Sequence, residues 1–120
     1  MRKPPLVPTK RQRVLPAVLL VGSEPGLFEL CQICADFAAS ARVVISDVAG
    51  MSTKAAQWRP FAIVVPISIH EFDPTEFAAL ARSVNAELIT VSPERIPDAL
   101  FKNDLITAFR DALRRRARSK

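Results

Sequence analysis

Val18-Leu19-Leu20-Val21-Gly22-Ser23-Glu24-Pro25-Gly26 is an unbroken apolar run that ends in a turn and a helix start. A strand with one wet face alternates apolar and polar residues, whereas Ala17–Val21 is apolar throughout, as a strand is when helices cover both faces of a parallel sheet. A helix follows over about Pro25–Ser40, with proline in its first turn and Ser23 or Glu24 as the cap. Its apolar face comprises Leu27, Leu30, Cys31, Cys34, Phe37 and Ala38. Arg42–Ser46 reads as a second strand, Asp47–Gly50 as a loop and Met51–Arg59 as a weaker helix with Met51, Ala55 and Trp58 on one side. After Pro60, Phe61–Val65 is a third buried strand, extending at most to Ile67. Asp73-Pro74-Thr75-Glu76 has the form of a capping box with proline at the first helical position, opening a helix to about Asn85. Leu88–Val91 is a fourth strand. A loop with two prolines, Ser92–Asp98, leads to a last helix over Ala99–Arg115, with Leu100, Leu105, Ile106, Phe109 and Leu113 inward. The order βαβαβ with short loops predicts an α/β fold in three layers, a parallel sheet with helices on both faces.

The chain has 120 residues and a net charge of +5, and that charge sits at its ends. Residues 1–13 carry five basic residues and no acid, and three prolines, and read as a flexible basic arm. Residues 14–116 read as the folded domain and 117–120 as a basic tail. Between 14 and 109 there are 6 basic and 11 acidic residues, so the globule itself is acidic. No apolar run reaches the roughly 18–20 residues that a bilayer span needs. The basic start before Val14–Val21 imitates a signal peptide, but no small-residue cleavage site follows and Pro16 interrupts the run. Two closely spaced cysteines make no disulfide framework, which leads us to expect a reducing, cytoplasmic setting and no membrane.

The turn after the first strand resembles the opening of a response-regulator receiver domain, a family with a flavodoxin-like fold. The resemblance covers roughly residues 17–92 and, more loosely, the last helix. Receivers place two acids after the first strand to hold a divalent cation; here those places are Gly22 and Ser23, with Glu24 beside them. Arg59-Pro60-Phe61-Ala62-Ile63-Val64-Val65-Pro66 is similar to the strand that ends in the phosphoaccepting aspartate, and that place is Pro66. Ser92, after Leu88-Ile89-Thr90-Val91, matches the hydroxyl that contacts the phosphoryl group. No Lys-Pro pair stands for the end of the fifth strand. Only ten residues separate Ser92 from Asn103, too few for a further helix and strand. The sheet therefore has four strands, five at most, and Leu88–Val91 takes either the fourth or the fifth place.

The resemblance implies a degenerate phosphorylation pocket of Gly22, Ser23, Glu24, Pro66 and Ser92. Phosphotransfer needs a carboxylate nucleophile and acids for Mg²⁺, which this set lacks. Asp47 reads as a loop acid bonded to turn amides. Cys31-x-x-Cys34 lies about two turns inside its helix, not at the N-terminus where a thiol is activated, so it reads as a pair of core thiols. Zinc would need two further ligands. His70 has no nucleophile partner and reads as structural. Gly22–Gly26 lacks the lysine of a P-loop and reads as a tight turn. The expectation is thus a binding module without cofactor, metal or catalytic residue, acting on a protein partner and forming a homodimer. By resemblance, the partner surface lies on the last helix, at Phe101, Asp104, Thr107, Arg110, Asp111 and Arg114. The alternative is a nucleic-acid-binding protein that uses Lys10, Arg11, Arg13, Arg115, Arg116, Arg118 and Lys120 against phosphates. No aromatic residue is interleaved with those charges, so base stacking is not indicated by the sequence.

Overall fold

The computed structural model describes residues 15–118. Four parallel strands, β1 (Ala17–Val21), β2 (Arg42–Ser46), β3 (Ala62–Pro66) and β4 (Glu87–Val91), form a single sheet in the order β2-β1-β3-β4. β1 and β3 are buried at every position. Val18, Leu20, Ala62 and Val64 face one apolar cluster, and Leu19, Val21, Ile63 and Val65 face the other. The first cluster is closed by α1 (Leu27–Ala39) and α5 (Ala99–Arg118). The second is closed by α2 (Met51–Trp58) and α4 (Pro74–Ser83). A short α3 (Ile67–His70) and a 3₁₀ turn at Pro93–Arg95 complete the chain. The result is a three-layer, flavodoxin-like α/β fold that stops at four strands, with β4 in the fourth place beside β3.

Local chemistry accounts for most of the boundaries. Asp73 accepts a hydrogen bond from the Glu76 amide at 3.2 Å and Pro74 is the first helical residue, so the expected aspartate cap forms, while the Asp73 amide donates to the His70 carbonyl and not to Glu76. The cap of α1 differs from expectation. The helix begins at Leu27 after Gly26 in a left-handed conformation (φ 80°), and no side chain caps it, because Pro25 and Gly26 form a turn first. β3 does not run on to Ile67; the chain turns into α3 directly after Pro66. α5 continues to Arg118, so residues 117 and 118 are helical.

Two helices keep most of the expected inward face, each with one large residue turned out instead. In α1, Leu27, Cys31, Cys34 and Ala35 are buried, whereas Phe37 is 71% exposed. In α5, Phe101, Leu105, Phe109 and Ala112 are buried, and Leu100 is 65% exposed. The small side chains Ala35 and Ala112 belong to the buried cluster between these helices and the sheet, where close helix approach favours little bulk. Phe61 and Phe109 meet edge to face at 6.4 Å in this layer.

Parallel strands require every principal helix to run the opposite way, so the two ends of the molecule differ in kind. The carboxyl ends of the strands, their loops and the first turns of the helices carry Glu24, Glu29, Asp47, Glu71, Asp73, Glu76, Glu94 and Asp98 against Lys54, Arg95 and Lys102. The opposite end carries Arg42, Arg59, Arg82, Arg115, Arg116 and Arg118 against Asp36 and Glu87. Both distributions complement the helix dipoles.

Phe109→Ala is expected to cost about 3–5 kcal/mol, because it empties a fully buried site. Phe37→Ser, on the exposed side of α1, is expected to change stability by less than about 0.5 kcal/mol. Urea unfolding of both variants checks the helix phases, and equal losses would contradict them.

Candidate functional site

In an open α/β sheet, ligands enter beyond the carboxyl ends of the strands where the strand order reverses, here between β1 and β3. Gly22 leaves β1 with φ 113° and donates its amide hydrogen bond to the Ser46 carbonyl at 2.8 Å. A Cβ on Gly22 would sit 3.0 Å from Ile69 Cδ1 and 3.7 Å from Pro66 Cγ. The switch point is thus filled by apolar atoms of Pro66 and Ile69, and α3 is the element that brings Ile69 there.

The residues expected to share one pocket are divided by this plug. Gly22 and Ser23 line a cleft of about 340 Å³ with Ser46, Asp47 and Lys54. Glu24 and Ser92 line a second cleft of about 590 Å³ with Ile67, Glu71, Glu94 and Ile96. Asp47 bonds the Gly50 amide through Oδ1 at 2.8 Å, a turn-forming role as expected. Among the described residues, no three His, Cys, Asp or Glu side chains come close enough to hold a metal ion.

Cys31 and Cys34 are free and buried. Burial, with a smaller contribution from the neighbouring Cys34, pushes the Cys31 thiol up to about 12. Burial also raises Cys34, partly opposed by Lys102, and its thiol donates a long bond of 3.6 Å to the Lys102 carbonyl. These are core thiols of low nucleophilicity. His70 ends α3 and packs on Phe77 at 5.8 Å.

The two edges of the sheet are finished differently. In β2 the backbone groups of Val43 and Ile45 point outward, since Arg42 and Ser46 bond toward β1. Side chains cover that edge: Gln32 donates to the Ala41 carbonyl at 3.0 Å and accepts from the Val43 amide at 3.1 Å, while Lys54 donates to the Ile45 carbonyl at 3.2 Å. In β4 the Glu87 amide bonds to the Phe61 carbonyl, so Leu88 and Thr90 turn their backbone groups outward. No side chain among the described residues bonds to them. Beside this open edge runs a groove of about 250 Å³, walled by Leu88, Ile89, Ala108, Asp111, Ala112 and Arg115. Arg115 and Glu87 form an ion pair across one end at 2.6 Å, and Arg95 bonds Asp104 at 3.1 Å on the same helix's first half.

This corrects the surface expected on the last helix. Phe101 is 3% exposed and belongs to the core, with the Arg95 guanidinium 5.0 Å over its ring, so it is no contact residue. At about 100° per residue, Asp104, Ala108, Asp111 and Arg115 form one stripe toward β4. Thr107, Arg110 and Arg114 are exposed further round the helix. The sequence signal for the open edge was the shortness of the segment after Ser92.

At the basic end, Leu15, Pro16, Trp58, Arg59, Phe61, Leu113 and Arg116 line a cleft of about 470 Å³. The Arg42 guanidinium lies 5.5 Å from the centre of the Trp58 ring. Burial, and then the charge of Arg59, pulls the Arg116 guanidinium below its usual value. Of the cations expected to meet nucleic acid, Arg115, Arg116 and Arg118 lie at this end. Lys10, Arg11, Arg13 and Lys120, and the expected arm 1–13, lie outside the described residues.

No family model matches this chain, and neither a curated protein nor a solved structure does. What the coordinates define is the class of fold, a four-stranded parallel α/β layer structure with a filled switch point and one open edge. No helix among the described residues is long and apolar enough to cross a membrane.

The Cys31 thiol has a folded value above its unfolded one, so it favours the folded state at neutral pH, and this contribution falls as pH rises from about 9 toward about 12. Cys31→Ala is therefore expected to flatten the alkaline decline in stability, measured by denaturant unfolding across that range. Gly22→Ala is expected to destabilise by about 1–3 kcal/mol through its left-handed backbone and the Ile69 contact. Ile69→Ala in the same chain should recover only the contact part, which thermal melts of the three variants would resolve.

Proposed function

We propose that this chain is a receiver-like interaction module that signals without phosphorylation and binds a protein through the β4 edge and the adjoining face of α5. One observation carries the reading. The β2 edge is covered by Gln32 and Lys54, whereas the β4 edge presents Leu88 and Thr90 with a groove beside them. Unpaired edge backbone is a template for another strand. The filling of the switch point by Pro66 and Ile69, at a place where the receiver chemistry needs carboxylates, supports binding in place of phosphotransfer.

The partner that fits first is a second copy. In an antiparallel two-fold pairing centred on Ile89, Leu88 of each copy faces Thr90 of the other, and their outward amides and carbonyls exchange hydrogen bonds. The same operation lays Asp104, in the first half of α5, near the arginines of the opposing second half. Charges of opposite sign then meet across the rim, which favours register and approach more than affinity.

Light scattering during size exclusion is expected to give a dimer mass that Thr90→Pro converts to monomer. Proline there removes only an outward amide, leaving the ladder to β3 intact. A wild-type monomer at all concentrations would count against the dimer. Incubation with a small phosphodonor and Mg²⁺ should leave the intact mass unchanged, and an acid-labile phosphoryl adduct would overturn the phosphorylation-independent reading.

A further inference from the structure

The end of the molecule away from the acidic loops holds a cleft that the interaction reading does not use. Its floor is apolar, and its rim is formed by Trp58, Arg59 and Arg116. Trp58 is the residue that linear reading missed: no aromatic lies among the terminal charges in sequence, yet the fold sets this ring among Arg42, Arg59 and Arg116. It is 36% exposed, so part of the indole is available to a ligand. Arg59 is held at the end of α2 in a left-handed conformation (φ 47°), its amide bonded to the Ala55 carbonyl at 2.8 Å. Arg59 and Arg116 repel one another, so the rim concentrates positive charge that a polyanionic backbone would meet. Leu15, the first described residue, lines the same cleft.

We propose that this cleft binds single-stranded nucleic acid, its arginines taking successive phosphates and Trp58 stacking a base. Cations flanking an exposed indole are the combination that unpaired strands use, because a base freed from its partner offers a face for stacking. A free phosphate needs no ring, and a lipid surface needs an apolar wedge where this rim is charged. The site lies at the opposite pole from the strand tips and involves neither Leu88 nor Thr90, so it stands or falls independently of the dimer.

Trp58 is the sole tryptophan and the chain has no tyrosine, so intrinsic fluorescence reports on this cleft alone. Titration of the full chain with an oligothymidylate of about ten nucleotides is expected to quench that emission saturably. The affinity should fall steeply between about 50 and about 200 mM salt. Arg59→Asn, which keeps a residue tolerant of the left-handed backbone, combined with Arg116→Gln, should lower the salt slope by about 1.4, at about 0.7 per lost single-strand contact. Trp58→Leu, followed by anisotropy of a labelled oligonucleotide, should weaken binding by about five- to 160-fold, the range for one lost base stack. No quenching at about 50 mM salt, or binding indifferent to salt, would overturn the proposal. So would a blue shift with phosphatidylserine vesicles in place of quenching by the oligonucleotide, since that would make the ligand a lipid surface.

Discussion

β1 is apolar at every position and paired on both sides, to β2 and to β3, and both of its faces are covered by helices. That double burial constrains the rest of the molecule. A strand covered on both faces needs crossover helices above and below, and parallel pairing directs those helices against the strands. All loops that carry the chain from strand to helix then collect at one end, and the helix carboxyl termini at the other. The separation of carboxylates from arginines follows this geometry, with each sign placed where the helix dipoles favour it.

The same constraint decides where the molecule is vulnerable. A four-stranded open sheet has two edges, and burying its faces does nothing for them. β2 is followed closely by α2 and preceded by α1, whose side chains reach its outward backbone through Gln32 and Lys54. After β4 the chain has only the short segment with the turn at Pro93–Arg95 before α5, and among the described residues no element covers the outer side. The open edge is the consequence of a missing crossover, not of any unusual composition in β4 itself.

Much of this was legible in residues. The Asp73 cap with Pro74 after it, the apolar runs of β1 and β3, and the turn-forming Asp47 are local signals and formed as read. Helix phase was less legible. Phe37 and Leu100 are large and apolar, and pattern reading turned them inward, yet the inward places belong to Ala35 and to Phe101 and Ala112. Close packing of α1 and α5 against the sheet selects small side chains at some buried positions, and hydropathy alone undervalues alanine there. Ile67, by pattern the furthest reach of the third strand, instead begins the turn of helix that brings Ile69 to the switch point.

Sequence alone determined the order of the four strands and the four principal helices, the layered parallel architecture, and the lack of carboxylates at positions 22, 23 and 66, because periodicity, capping and residue identity are properties of short stretches. Tertiary structure decided which edge stays open, that Ile69 closes the crevice above Gly22, and that Trp58 stands among arginines from β2, the loop before β3 and α5. Those facts join residues tens of positions apart. No local pattern encodes such meetings; they arise when strands find their neighbours and the helices settle onto the sheet.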